Sequence, residues 1–147
     1  MTTFTLTPDQ TEAVKVLKGP ARRIMLEGGS GSGKTFLMVR VFLIRALIEA
    51  GSQHCIGRLR FNHTVSSIVY QTMPMVLSRS FPGLNLKLDK QHWFYELPNG
   101  SQIWLFGYDQ KDRIEKILGT EWATIGVSET SMVTWDLITT IITRLRA

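Results

Sequence analysis

Residues 28–35 have the sequence Gly28-Gly29-Ser30-Gly31-Ser32-Gly33-Lys34-Thr35, which matches the pattern G-x-x-x-x-G-K-[ST] of a phosphate-binding P-loop. The glycines have no side chains, so successive backbone N–H groups can point inward towards phosphate oxygens. Lys34 is expected to reach the β- and γ-phosphates, and the Thr35 hydroxyl is expected to bind Mg²⁺. The stretch therefore predicts a site for a nucleoside triphosphate with its magnesium ion.

The segments on either side of this loop have the pattern that a P-loop requires. Residues 22–27 contain the apolar run Ile24-Met25-Leu26, which is typical of a short buried strand, and a helix is predicted from Lys34 onward. A glycine-rich turn without a ligand is the alternative interpretation. Because a strand leads into the loop and the positive end of a helix dipole follows it, phosphate binding is favoured.

Predicted helices and strands alternate along the rest of the chain. Met73-Pro74 should kink or interrupt the third helix, and Asn99-Gly100 between two aromatic-rich runs predicts a β-hairpin. The sequence predicts an α/β fold of one domain over residues 1–147, with a mainly parallel sheet flanked by helices and an inserted hairpin. Helices are predicted at 7–18, 34–50, 62–77, 109–118 and 133–146, and strands at 22–27, 55–59, 93–97, 102–106 and 123–127.

The composition is that of a globular protein: 147 residues, of which 44% are hydrophobic and 20% charged. The net charge of +5 favours polyanions without specifying one. The single cysteine, Cys55, cannot form an internal disulfide, so a buried thiol in a reducing cytoplasm is predicted. Residues 1–6 lack the features of a signal peptide. The most apolar stretch contains Arg40, Arg45 and Glu49 along one side of a helix, which predicts a buried helix and not a membrane span.

An acidic residue, Glu129, follows the predicted strand at 123–127. In P-loop ATPases an acid at such a strand end holds the Mg²⁺ shell or orients the attacking water. Glu129 is predicted to orient water at the γ-phosphorus while Lys34 and Mg²⁺ offset the charge of the transition state. Alternatively, it is a first-turn acid of the next helix, which the helix dipole favours. Ser128 stands where such ATPases usually carry aspartate, so its hydroxyl can bind a magnesium-bound water but adds no charge.

The side-chain amide of Gln10 lies upstream of the loop in the sequence. It has both a donor and an acceptor, which is what recognition of an adenine edge requires. The alternative is a solvated side chain on the surface of the first helix.

The order of these features resembles that of the ATPase domain of large terminase subunits, the DNA-packaging motors of tailed bacteriophages. The resemblance extends over nearly the whole chain, and its hairpin and glutamate motifs are narrower than the P-loop, which very many proteins share. Five stretches carry it: Leu6-Thr7-Pro8-Asp9-Gln10; Gly28 to Thr35; Gly57-Arg58 with Ser67; Leu97-Pro98-Asn99-Gly100-Ser101-Gln102-Ile103 with Gly107; and Val127-Ser128-Glu129 with Thr143-Arg144-Leu145-Arg146.

The resemblance implies roles for Gln10 and Arg58. Gln10 becomes a reader of adenine, and Arg58 a residue that senses or stabilises the nucleotide, with a solvated cation at a strand end as the alternative. Terminases commonly carry an arginine in the loop where this chain has Ser30. The charge-stabilising arginine could therefore come from Arg58, from Arg60 or from a neighbouring subunit.

The resemblance also implies an activity: ATP hydrolysis coupled to translocation of double-stranded DNA into a prohead. Its implied partners are the DNA backbone, a terminase small subunit, a portal and further copies of the chain, in the cytoplasm of an infected bacterial host and without a membrane. DNA contacts are expected from basic and aromatic residues between Lys87 and Trp104, unless those aromatics pack the hairpin. The alternatives are a helicase-type P-loop ATPase and a nucleotide-binding assembly or regulatory module with weak hydrolysis.

In terminases a strand with a coupling motif and then a nuclease domain follow the helix after the glutamate. Neither is found before Ala147. We therefore expect residues 1–147 to be the N-terminal ATPase part of a larger terminase-like protein, and we expect no nuclease activity from them.

Overall fold

The structure, a computed structural model, describes residues 6–18, 33–109 and 111–128, together with Asp136 and Thr139. These residues form an α/β fold in which helices flank a five-stranded sheet. The helices are α1 (Pro8–Lys18), α2 (Lys34–Ile48), α3 (Phe61–Thr64), α4 (Met73–Ser80) and α5 (Lys111–Leu118), and a π-helical segment (Val65–Thr72) joins α3 to α4. The strands are β1 (Gln53–Arg58), β2 (Lys87–Asp89), β3 (Phe94–Glu96), β4 (Gln102–Gly107) and β5 (Thr124–Val127).

The described strands lie in the order β2-β3-β4-β1-β5. Strand β1 is parallel to both β4 and β5, so the predicted parallel arrangement is confirmed for this part of the sheet. The two other pairings, β2 with β3 and β3 with β4, are antiparallel because short turns join these strands. The sheet is therefore mixed rather than mainly parallel, and β2 is a strand that the sequence analysis did not predict.

The predicted hairpin is confirmed between β3 and β4. Its turn is closed by a hydrogen bond from the Leu97 amide to the Ser101 carbonyl at 2.9 Å. Gly100 has a φ of 85°, which glycine adopts without steric cost. The Asn99 side chain donates to the carbonyl of Ala46 at 2.8 Å, so the turn is attached to the last turns of α2.

The helix predicted at 62–77 changes its hydrogen-bond pattern at Met73-Pro74. Helical structure continues from Phe61 to Ser80, but the π-helical segment ends at Thr72 and Pro74 lies in the first turn of α4. The Met73 amide bonds to the carbonyl of Ile68, five residues back. In an α-helix the proline ring clashes with the carbonyl four residues before it. The wider π turn provides the space for that ring.

The sheet buries apolar side chains on both faces. The larger cluster lies between the sheet, α2 and the helical segment from the π turn to α4, and includes Leu43, Ile56, Ile68 and Leu105. The other face buries a smaller cluster beneath α5: Cys55, Phe106, Tyr108, Ile117 and Trp122. The prediction of a buried Cys55 is confirmed, since its side chain is fully covered.

Two predicted elements, the strand at 22–27 and most of the helix at 133–146, lie outside the described residues. Asp136 and Thr139 have helical conformation. Within the described parts of the chain, no helix combines the length and the apolar character that crossing a bilayer requires.

Candidate functional site

The predicted site falls partly within the described structure. Gly33, Lys34, Thr35, Gln10, Arg58 and Ser128 are described. The other predicted residues lie outside it: Gly28, Gly29, Ser30, Gly31, Ser32 and Glu129. Their roles stay predictions.

The last glycine of the predicted loop, Gly33, precedes α2 directly. Its φ of 83° is left-handed, a conformation that favours glycine. Its carbonyl accepts the first bond of the helix from the Leu37 amide at 3.0 Å. Lys34 and Thr35 are therefore the first two residues of α2, whose first turn carries no acidic side chain. The N–H groups of a first helical turn have no carbonyl partner within the helix, and together with the helix dipole they attract anions.

Gln10 joins the start of α1 to this glycine. The Gln10 side-chain Oε1 accepts a hydrogen bond from the Thr7 backbone amide at 3.0 Å, while the Gln10 backbone amide donates to Thr7 Oγ1 at 3.2 Å. These reciprocal bonds form a capping box. Its Nε2 donates to the Gly33 carbonyl at 3.4 Å. A β-carbon at position 33 would overlap Nε2. The structure thus brings Gln10 and the end of the loop together across 23 residues of sequence.

Helix α2 crosses β5 in the opposite direction to the strand. Met38 lies over Gly126, and Arg45, two turns later, donates from Nη1 to Thr124 Oγ1 at 3.5 Å. Thr35 is one helical turn before Met38, and Ser128 follows Gly126 on the same face of the strand. The start of α2 and the end of β5 therefore lie towards the same edge of the sheet.

Ser128 is buried, with 8% of its surface exposed, and its amide donates to the Gly57 carbonyl at 2.9 Å. This bond extends the pairing of β1 and β5 past the end of β5. Arg58 ends β1 beside it. The carboxyl ends of parallel strands are where ligands bind in open α/β sheets. The structure thus brings Arg58 and Ser128 to the edge at which α2 begins.

Two glycines allow β1, β4 and α3 to approach closely at this edge. A β-carbon on Gly57 would overlap the Phe106 carbonyl, and one on Gly107 would overlap the backbone of Phe61. Both positions belong to stretches that carried the terminase resemblance. Glycine is needed at both positions because backbone atoms approach closely there. The sequence alone gives no sign of this close approach.

Thr64 is a residue of this edge that sequence reasoning missed. Its Oγ1 accepts from the Arg58 amide at 2.8 Å and donates to the Phe106 carbonyl at 2.6 Å. The sequence carried no signal for it, because a threonine in a predicted helix is ordinary.

Tyr108 connects β4 to β5 close to the same edge. Its hydroxyl donates to the Gly126 carbonyl at 2.9 Å. Burial, followed by the nearby Cys55 thiol, raises the pKa of Tyr108 well above its ordinary value. The phenol therefore stays protonated and keeps its donor at any physiological pH.

A second polar cluster lies at the opposite edge of the sheet. The two ring nitrogens of His54 are each 2.9 Å from a hydroxyl, Nε2 from Ser52 and Nδ1 from Thr124. Ser52 Oγ also donates to the Glu49 carbonyl at 2.7 Å. These bonds satisfy buried polar groups where β1 and β5 begin, so we interpret the cluster as structural.

Two of the three residues predicted to bind Mg²⁺, Thr35 and Ser128, are described. Thr35 and Ser128 offer hydroxyl oxygens, which are hard donors suited to this cation. Among the described residues no group of three His, Cys, Asp or Glu side chains could hold a metal. Glu129, the carboxylate predicted to complete this donor set, lies outside the described residues.

The aromatic residues of the hairpin pack against one another. Phe94 and Trp104 stack with ring centroids 4.5 Å apart, and Trp93 packs edge-on against Phe61 at 5.5 Å. Tyr95 is buried in the larger core cluster. These contacts support the packing interpretation of the aromatics, while Lys87 and Lys90 are exposed.

Comparison with known proteins gives a match of fold. No protein-family model matches the chain, and no curated protein matches its sequence. The large terminase from a thermophilic bacteriophage, in crystal form 2, matches with a TM-score of 0.79 and 13% identity, over 96% of this chain and 36% of that chain. The same terminase in complex with ADP, in crystal form 3, matches with a TM-score of 0.75 and 13% identity, over 95% and 36%. The chain thus spans about a third of the length of these terminases, and it has the fold of that part of a large terminase.

Proposed function

We propose that this chain binds ATP with Mg²⁺ and hydrolyses it as the ATPase part of a viral DNA-packaging motor. The observation that carries the proposal is the crossing of α2 over β5 at Met38 and Gly126. This crossing supports a site in which Lys34 and Thr35 lie near Ser128, which follows β5. The fold match with a large terminase, one structure of which contains ADP, supports the same assignment.

In the proposed site the first turn of α2 binds the phosphates. Lys34 and the backbone N–H groups of this turn hold the β- and γ-phosphates and offset their charge, while the Thr35 and Ser128 hydroxyls help to hold Mg²⁺. When bound, Mg²⁺ supplies positive charge next to the transferred phosphoryl group. Glu129 orients the attacking water at the γ-phosphorus.

Gln10 and Arg58 are proposed to complete the site. The Gln10 side-chain amide has both donor and acceptor atoms and lies against the last glycine of the loop, where it can recognise adenine. Arg58 ends the strand next to β5, where a guanidinium can stabilise charge on the nucleotide.

Turnover measurements test the proposal. Phosphate release from Mg-ATP is compared for the wild type, Glu129→Gln and the control Glu121→Gln, an exposed glutamate at the other end of β5. We expect Glu129→Gln to bind ATP normally and to lose phosphate release about 100-fold or more, because an amide, unlike a carboxylate, cannot accept a proton from the attacking water. Normal turnover in Glu129→Gln would refute the role assigned to it.

DNA translocation is tested by stimulation of this turnover. Double-stranded DNA of unrelated sequences should stimulate hydrolysis equally, and the stimulation should weaken steeply as salt rises, because only backbone phosphates are contacted. Lys87 and Lys90 are candidate contacts. We further propose that the chain works with a small subunit, a portal and further copies of itself, in the cytoplasm of an infected bacterial host.

Ser128 favours one alternative: a nucleotide-binding assembly or regulatory module that hydrolyses weakly. Its hydroxyl is buried at a position where a carboxylate would add charge to the metal site. Saturable ATP binding without hydrolysis, even with DNA and with the rest of the protein, would favour this alternative over the motor.

A further inference from the structure

The hydroxyl of Thr64 lies between the ends of β1 and β4. Thr64 is fully buried, and its Oγ1 accepts from the Arg58 amide at 2.8 Å. It donates to the Phe106 carbonyl at 2.6 Å, with the Arg60 carbonyl more distant at 3.4 Å. One hydroxyl thus connects the strand that ends in Arg58 to the strand beside it.

This hydroxyl bonds to two backbone groups that face each other at the end of the β1/β4 ladder. Arg58 is paired with Gly107 in the parallel register, and the Tyr108 amide bonds to the Arg58 carbonyl at 3.1 Å. In this parallel register the Arg58 amide and the Phe106 carbonyl face each other. Thr64 Oγ1 bonds to both of these groups. The hydroxyl therefore sets where the backbone of Arg58 lies relative to β4.

Arg58 lies on the same side of β1 as Ile56, because side chains alternate along a strand. Ile56 belongs to the core cluster that includes residues of α2. Arg58 is thus on the α2 side of the sheet, at the edge where α2 starts and β5 ends. A change in its backbone position displaces its guanidinium relative to that edge.

We propose that Thr64 is a positioning residue for Arg58 in ATP hydrolysis. The inference rests on the proposed function, since it assigns Arg58 a role at the nucleotide. Thr64 does not itself contact the nucleotide; it acts by fixing the Arg58 amide. Without the hydroxyl, the Arg58 amide loses this acceptor and the Phe106 carbonyl loses this donor, so Arg58 is held less firmly relative to β4.

The substitutions Thr64→Val and Thr64→Ser separate the hydroxyl from the shape of the side chain. Valine has the shape of threonine without its hydroxyl, whereas serine keeps the hydroxyl. We expect Thr64→Val to lower kcat about tenfold and to change the KM for ATP by less than about twofold, because a displaced arginine affects the transition state more than binding. Thr64→Ser should stay within about twofold of the wild type. If the two variants lose activity equally, the hydroxyl is not what matters.

A double-mutant cycle with Arg58→Ala tests whether Thr64 acts through Arg58. In the Arg58→Ala background, Thr64→Val should cause no further loss of kcat, because the group it positions is gone. A merely structural role would lower kcat by the same factor in both backgrounds, which would overturn the proposal. If Thr64→Val does not fold, Thr64→Cys takes its place, since a thiol is a weak hydrogen-bonding group.

A measurement without ATP keeps this inference separate from the proposed function. Absence of turnover in the wild type would refute the function alone. Hydrogen exchange of the Arg58 backbone amide, followed by NMR, then tests whether the Thr64 hydroxyl holds this amide in place. Exchange should be about tenfold faster or more in Thr64→Val than in Thr64→Ser, and the Arg58 Nε–H signal should shift only in Thr64→Val. Equal exchange and unchanged signals in both variants would overturn the inference.

Discussion

Met38 in α2 lies directly over Gly126 in β5. A β-carbon at position 126 would come within 3.0 Å of the Met38 sulfur and 2.7 Å of the Phe42 ring. The absence of a side chain on Gly126 thus sets the spacing between α2 and β5. Because Thr35 and Ser128 lie at the ends of these two elements, the same contact sets the geometry of the candidate site.

Gly126→Ala should lower the free energy of unfolding by about 1–3 kcal/mol, because an added methyl group overpacks a filled space. Urea unfolding followed by circular dichroism measures this change. Gly119→Ala is the matched control: its new β-carbon would meet only ordinary contacts of 3.4 Å and more. Equal effects of the two substitutions would show that α2 does not pack as closely on β5 as described.

Gly107→Ala should destabilise the fold more than Gly126→Ala does. The added β-carbon at 107 would overlap the backbone of Phe61, whereas at 126 it meets side chains that can change rotamer. A backbone cannot move aside without shifting α3. We expect a loss above about 3 kcal/mol, beyond the usual range for point substitutions. The same urea measurement compares the loss in free energy of unfolding of the two variants. A larger loss in Gly126→Ala than in Gly107→Ala would contradict the close contact at Gly107.

The sequence predicted the elements whose signals are local. The asparagine and glycine of the hairpin turn and the apolar strand predicted at 123–127 depend on neighbouring residues only, and both features are found in the structure. The π-helical segment before Pro74 escaped prediction because a proline inside a helical pattern is expected to kink or end the helix. Strand β2 has only three residues, too few for a periodic pattern.

The sequence predicted those candidate-site residues that belong to a known motif. It did not predict contacts between residues that are far apart in the sequence. Lys34 and Thr35 follow from the loop pattern alone, and the structure places them at the start of α2. The bond between Gln10 and Gly33 spans 23 residues, and Thr64 reaches Phe106 across 42. Contacts of this kind depend on the packing of helices on the sheet, which a single sequence does not encode in any local pattern.

Gln10 combines a structural role with the proposed nucleotide role, and two substitutions separate them. Gln10→Glu keeps the oxygen that accepts from the Thr7 amide but loses the donor to the Gly33 carbonyl. It should leave the stability of α1 nearly unchanged and weaken ATP binding about tenfold, since the adenine donor is lost. Thr7→Ala should do the opposite, with a loss of about 1 kcal/mol in stability and nearly normal binding.

Thermal unfolding and titration with ATP measure the two properties in parallel. If Gln10→Glu binds ATP as tightly as the wild type, Gln10 serves only to cap α1 and to join it to the loop.

The buried Tyr95 predicts a loss of stability at high pH. Burial, followed by the nearby Tyr70, raises the pKa of Tyr95 to about 12, whereas an unfolded tyrosine has a pKa of about 10. The unfolded chain therefore loses this proton first, so the free energy of unfolding falls as pH rises from about 10 to about 12. Tyr95→Phe should flatten part of this fall, and the raised pKa values of Tyr108 and Cys55 account for the remainder.

Urea unfolding at a series of pH values measures this dependence. Tyr70→Phe should flatten the fall less than Tyr95→Phe does, because Tyr70 is the smaller of the two causes of the raised pKa of Tyr95. If the free energy of unfolding depends on pH in the same way in Tyr95→Phe and in the wild type, the burial of Tyr95 is contradicted.

Equilibrium binding of Mg-ATP to the wild type, Lys34→Ala and Lys15→Ala tests the proposed nucleotide site most directly. Lys34 begins α2, whereas Lys15 is a highly exposed residue of α1 paired with Glu12 at 3.8 Å. We predict saturable binding to the wild type and to Lys15→Ala, and binding weakened about tenfold or more in Lys34→Ala, because the proposed role of this lysine is to hold the β- and γ-phosphates. Equal affinity of Lys34→Ala and the wild type, or no binding to the wild type, would contradict a nucleotide site at the start of α2.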